Sequence, residues 1–190
     1  MLKDSPQLTI AHLLLSGTSI LALKYSPSGG TVSYGTFGNI LLYGIAGFIR
    51  YAIPDMHHSI RMSRFLAITH TLTRNLALPS VVTYLYLMSG YSPDLAYAHL
   101  ISGAIPVLLY LLKRGVTPLT DFILAGNIVS LAYISFLYGN VWGIGLAVCQ
   151  IVNHFFLNRL KDNFSAPVDC LFVVGMCFFN IFAVKTLKNY

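Results

Sequence analysis

Apolar residues gather into seven runs, at 8–24, 34–53, 65–89, 94–112, 118–138, 140–158 and 167–186, and nearly all charged residues lie in the short gaps between them. Each run is close to the roughly 20 residues a helix needs to cross the hydrocarbon core of a bilayer. None alternates as a barrel strand must, so in lipid the backbone groups would find their partners within helices. The pattern predicts an all-α fold, a polytopic integral membrane bundle of about seven transmembrane helices with short loops, forming a single multi-pass domain over residues 1–190. Polar caps followed by proline mark several starts: Ser5-Pro6, Ser92-Pro93, Thr117-Pro118, and Ser165 just before Pro167. Proline in a first turn sacrifices no hydrogen bond. Lys3 ahead of the first run also fits a signal peptide, whose removal would leave six helices; Asp4 and the lack of a small-x-small cleavage site argue against it.

The basic residues orient the bundle. Arg50, Arg61 and Arg64 follow the second run, Lys113 and Arg114 the fourth, and Arg159 and Lys161 the sixth, whereas the intervening gaps carry only Lys24. An excess of Lys and Arg marks cytoplasmic loops, so the N-terminus is expected in the cytoplasm and the C-terminus in the lumen or outside, against the mild dissent of Lys185 and Lys188. The sequon Asn163-Phe164-Ser165 then falls in a cytoplasmic loop and is expected to stay unmodified.

Composition narrows the classes further. With 56% hydrophobic residues, 9% charged and a mean hydropathy of +0.70, the chain has no surface for a soluble globular protein and no room for a soluble domain. The net charge of +6 resides in residues that flank apolar runs, which is a topology signal rather than a nucleic-acid footprint. Cys149, Cys170 and Cys177 sit within apolar runs without a CxxC, as small core residues do. The ending Lys188-Asn189-Tyr190 is no retention signal and no lipidation motif is visible; the endoplasmic reticulum or another endomembrane is expected in preference to the plasma membrane.

None of the 18 charged residues is glutamate. Asp4, Asp55, Asp94, Asp121 and Asp169 all lie within three residues of a proline, where a carboxylate in a first turn is stabilised by the helix dipole. Arg74, one turn after His70, is the exception, because it lies inside the third run. If that helix begins near Arg64, the residue is about 15 Å along the axis and needs a partner or a wet cavity. If residues 56–70 instead form an interfacial helix with His57, Arg61 and Arg64 on its basic side, Arg74 snorkels.

Asp121 and Asp169 open helices on the same side from which Arg74 enters, and either is expected to pair with it. Gln150, Asn153, His154 and Asn158, at offsets of zero, three, four and eight, wind into one polar stripe near that side, and His70, Thr71, Asn75 and His12 lie at similar depth. Single polar residues of this kind are commonly interhelical glue. Their concentration predicts an inward-facing pocket of His70, Arg74, Asp121, Gln150, Asn153, His154 and Asp169.

No HxxxH, HExxH, GxSxG or P-loop is present, and neither a metal nor a cofactor is expected. The leading expectation is a small transporter or channel whose cytoplasm-facing pocket takes a small anionic solute, ion or lipid headgroup. A membrane-embedded lipid-modifying enzyme using His and Asp is one alternative. The other is a non-catalytic subunit or biogenesis factor with a membrane-protein partner, to which the glycines of the second and sixth runs would offer a close-packing face.

Overall fold

The apolar runs become helices, and the punctuation between them sets where each begins. The computed structural model describes residues 6–27, 31–114, 118–157, 160 and 167–190, and every regular element among them is helical. In chain order these are α1 (Pro6–Tyr25), α2 (Thr31–Ala52), the single turn α3 (Pro54–His57), α4 (Ile60–Met88), α5 (Pro93–Leu111), α6 (Pro118–Leu137), α7 (Val141–Ile151) and α8 (Val168–Lys188). Helix α7 runs on as a π-helical turn over Val152–Phe156. Proline is the first residue of α1, α5 and α6. The Ser92 hydroxyl accepts the Leu95 N–H at 3.4 Å, and Ser59 and Asn140 cap α4 and α7 through the N–H groups of Met62 and Gly143. The caps expected at Ser5, Thr117 and Ser165 lie outside the described residues.

An interfacial helix over residues 56–70 does not form. The break falls earlier, at His58 and Ser59, and with Ser59 as its cap α4 runs unbroken from Ile60 to Met88. No glycine interrupts it, and its one proline is accommodated. The helix is about 43 Å long and Arg74 lies about 21 Å from its start, far from any end to which it could snorkel. Pro79 removes the N–H that would bond the Asn75 carbonyl, and the Ser80 and Thr83 hydroxyls bond back to the carbonyls of Leu76 and Pro79. Gly103 of α5 faces this gap, where a Cβ would lie 2.6 Å from Pro79 Cγ and 2.8 Å from the Asn75 oxygen.

Six helices close a ring in which α1 packs on α2, α2 on α4, α4 on α6, α6 on α7, α7 on α8 and α8 on α1. Helix α5 lies outside the ring against α4 and, more lightly, α6. The interior is an apolar core that also takes in polar side chains, and the outward surface is apolar too. Buried positions include His12, Thr69, Asn127, Gln150, His154 and Asn180, whereas Ile10, Leu14, Ile101, Phe122, Val129 and Phe136 point outward with more than half their surface exposed. Such a surface would aggregate in water and is at home in lipid.

Four helices, α1, α5, α6 and α8, are long and apolar enough to cross a membrane, and α7 with its π turn is a shorter apolar helix. This is fewer than the seven runs. Helix α4 carries Arg61, Arg64, His70, Arg74 and Asn75, and α2 is interrupted by Asn39 and Arg50, so their polar positions dilute the apolar ones.

Glycine lets two of these helices meet around an imidazole. His12 of α1 is 2% exposed and lies against Gly47 of α2, where any Cβ would fall on its ring. Gly17 and Gly126 have open space around the same position. Gly47→Ala is therefore expected to destabilise the protein by about 1–3 kcal/mol through overpacking. Gly17→Ala and Gly126→Ala should be neutral or stabilising by up to about 1 kcal/mol through helix propensity. Thermal unfolding in detergent, followed by Trp142 fluorescence, checks the contrast; equal losses at all three positions would refute it.

Candidate functional site

A guanidinium in the middle of a long helix needs its charge answered, and Arg74 finds its answer on two other helices. Its Nε–H donates to Nδ1 of His154 at 3.3 Å, and Nε2 of His154 meets Oδ1 of Asp121 at 2.8 Å. Because Arg is a donor only, Nδ1 of His154 must accept, which leaves the ring proton on Nε2 to be donated to the carboxylate. The order is thus cation, neutral imidazole, anion.

His154 is 3% exposed, whereas the Asp121 side chain, in the first turn of α6, is 55% exposed. The π turn supplies the ring. The turn, closed by Leu157 N–H on the Val152 carbonyl, carries the consecutive residues Asn153 and His154, both of them buried.

Among the described residues Arg74 makes no direct ion pair with either aspartate, so the expected pairing with Asp121 or Asp169 is replaced by a bridge. The consequence is electrostatic. A contact pair at 4 Å is worth about 4 kcal/mol at an effective dielectric of 20, and charges held about 8 Å apart across an imidazole about half as much. Arg74 is fixed in direction while its charge is only partly neutralised. Its two Nη groups engage no described residue.

Arg74 also lines a cavity of about 230 Å³ between α4, α5 and the start of α6, whose walls include Asn75, Thr71, Tyr110, Thr120 and Arg114. Among the described residues no carboxylate lines it. Arg114 reaches it through the turn that ends α5. Lys113 adopts a left-handed φ of 55°, Arg114 N–H bonds the Leu109 carbonyl and Lys113 N–H that of Tyr110. This is a Schellman ending with a lysine where glycine is usual, a strained conformation beside a cavity.

A second cavity, of about 250 Å³, lies between α1, α2, α4 and α8 and is lined by His12, Tyr43, Arg50, Tyr51, His70 and Asp169 among others. Ring contacts tie it together: His12 stacks on Tyr51 at 5.7 Å and meets Tyr43 edge-on at 5.0 Å, and His70 packs against Phe172 at 4.9 Å. His70 lines both cavities and forms the wall between them.

A family model described as a domain of unknown function (DUF4791) matches residues 27–187. The chain belongs to that family. The DUF4791 segment contains Arg74, Arg114, Asp121 and His154, whereas α1 with His12 precedes it. No curated protein and no solved structure matches the chain.

The seven residues expected to form one pocket are divided within the DUF4791 segment. Arg74, His154 and Asp121 form the bridge, with Arg74 and His70 on the first cavity wall. Asp169 lines the second cavity with His70. Gln150 is buried on α7, and Asn153, with both amide atoms lacking a protein partner, fills the space left by Gly175 of α8. Neither lines these two cavities. Asn158, the last member of the polar stripe, lies outside the described residues.

Tyr43, Tyr51 and Arg50 were not singled out in sequence as pocket residues, and neither were Tyr110 and Arg114. Tyr110 and Arg114 are four apart, a spacing that marks one side of a helix end, but Lys113-Arg114 reads first as a topology signal. Among the described residues no group of three or more His, Cys, Asp or Glu side chains could hold a metal ion.

If the bridge couples Arg74 to Asp121 only through His154, a double-mutant cycle of Arg74→Ala and Asp121→Asn should show about 0.5–3 kcal/mol of coupling in the native background. In a His154→Leu background the two substitutions should become additive. Urea or thermal unfolding in micelles measures both cycles, and coupling of equal size in both would remove His154 from the bridge.

Proposed function

We propose that this chain is a seven-span membrane protein whose basic, cytoplasmic end captures a small oxyanion between Arg74 and Arg114. The observation that carries the reading is the first cavity: two arginines and, among the described residues, no carboxylate, with Arg74 held through Nε by a neutral His154 so that its Nη groups are left for a ligand. A planar guanidinium fork presented in a fixed direction suits carboxylate or phosphate oxygens.

The span count rests on α1, α2, α4, α5, α6, α7 with its π turn, and α8, each of which runs opposite to the one before it along the chain. The orientation follows from Arg50, Arg61, Arg64, Lys113 and Arg114, all at the end where α2 and α5 finish and α4 begins. The ligand is either a solute to be moved across the bilayer or the headgroup of a lipid, and the same two arginines serve both.

Titration of the purified chain in micelles with inorganic phosphate, followed by calorimetry, tests the reading. Saturable binding is expected, and Arg114→Gln, a change at an exposed position, should weaken it about tenfold or more, the scale of one charge-assisted hydrogen bond. Arg74→Lys keeps the charge but loses the fork and should also weaken binding. No saturable binding to the folded native chain, or binding indifferent to Arg114, would sink the proposal. Uptake of labelled phosphate into proteoliposomes then separates a carrier from a protein that only binds.

A further inference from the structure

The anion cavity has a neighbour on the far side of Arg114. Tyr110 and Arg114 also line an open groove of about 680 Å³ on the outer face of α4 and α5, so these two side chains form the boundary between groove and cavity. Its polar rim is Ser63, Arg64, Lys113 and Arg114, again without a carboxylate among the described residues. Its remaining walls are Ala67, Ile68 and Leu111, and Ile68 and Leu111 are 39% and 55% exposed. Leu108, Ile105 and Ile101 continue an exposed apolar face along α5 away from the basic end.

A free inorganic anion needs the cations and has no use for that face. A molecule with a phosphate at one end and a hydrocarbon chain at the other needs both. The level also fits, because Arg64, Lys113 and Arg114 occupy the end of the bundle where cytoplasmic headgroups lie, and juxtamembrane Lys and Arg there attract anionic lipid.

We propose that the groove between α4 and α5 is the lateral entrance by which an anionic phospholipid bearing a terminal phosphate reaches the Arg74 cavity. Its phosphate sits at Arg114 and Tyr110, between Arg64 and Lys113 outside and Arg74 inside. One acyl chain lies over Ile68 and Leu111. The inference rests on the anion reading above and adds the source of the anion. The fixed Arg74 supplies the inner contact and the strained turn at Lys113 aims the outer one.

The full chain in micelles is titrated in parallel with inorganic phosphate, dihexanoyl phosphatidate and dihexanoyl phosphatidylcholine. Phosphatidate is expected to bind at least about tenfold more tightly than phosphate, since burial of two methylene groups suffices for that difference. Phosphatidylcholine should bind at least about tenfold more weakly than phosphatidate, for want of a terminal phosphate. Ile68→Ser with Leu111→Ser, both at exposed positions, should reduce phosphatidate affinity and leave phosphate affinity unchanged.

Equal affinities for phosphate and phosphatidate overturn the lipid entrance while leaving the anion site standing. Equal affinities for the two lipids overturn it as well, because the groove would then be recognising only hydrocarbon. Failure of a folded chain to bind either phosphate or phosphatidate removes the anion site itself, and the entrance with it.

Discussion

An arginine that can reach neither end of its helix dictates much of what surrounds it. Arg74 lies in the middle of α4, and its charge must be answered from neighbouring helices or not at all. The answer draws a histidine from the end of α7 and an aspartate from the start of α6, so three helices are held in register by two hydrogen bonds. Residues 153 and 154, both buried, sit on the π turn that continues α7, a kind of irregularity that recurs at functional sites. That local irregularity belongs to the same arrangement as the buried charge.

The remaining polar contacts follow the same logic at lower stakes. Asn180 reaches Thr18 and Ser19, Asn140 donates to the Thr186 carbonyl, and Asn127 joins His99 and Ser102, each tie crossing between helices. With apolar residues needed on the outside, specificity within the bundle comes from such ties and from close approach. The close approach is made at notches, where Gly47, Gly103 and Gly175 receive His12, Pro79 and Asn153. Ser135 and Asn153 remain buried without protein partners, which places unsatisfied groups next to two of the closest contacts, at Gly143 and Gly175.

Much of this is legible in the chain. An all-helical fold with helices on the seven runs follows because a backbone among apolar side chains must satisfy itself, and prolines at 6, 93 and 118 mark starts to the residue. That Arg74, His154 and Asp121 lie at one level is also readable, since residue number along an alternating set of helices gives depth, although Asn127, Asn140 and Asn180 are buried at other levels. What depth does not give is azimuth. Asp169 opens its helix at the same level as Asp121, yet α8 packs on α1 and α7 rather than α6, so it joins His12 and His70 instead of the arginine. The intermediary role of His154 is set by which helices pack side by side, and no residue pattern announces the π turn that carries it. The interfacial helix failed because the serine cap at position 59 outweighed a basic periodicity that continues equally well along α4.

The ring closure makes the walls of the Arg74 cavity unequal. Helices α4 and α6 each have neighbours on both sides within a closed circuit, and displacing either would break contacts elsewhere. Helix α5 is fastened from one side only, beside a carbonyl freed by Pro79 and a glycine that keeps no side chain between them. It is held there by its long contact with α4 and by Asn127 of α6, which meets His99 and donates to Ser102. The cavity is therefore bounded by two members of the circuit and one helix clasped to its outside, so a change in the packing of α5 alters the size of the cavity without opening the circuit that holds the arginine.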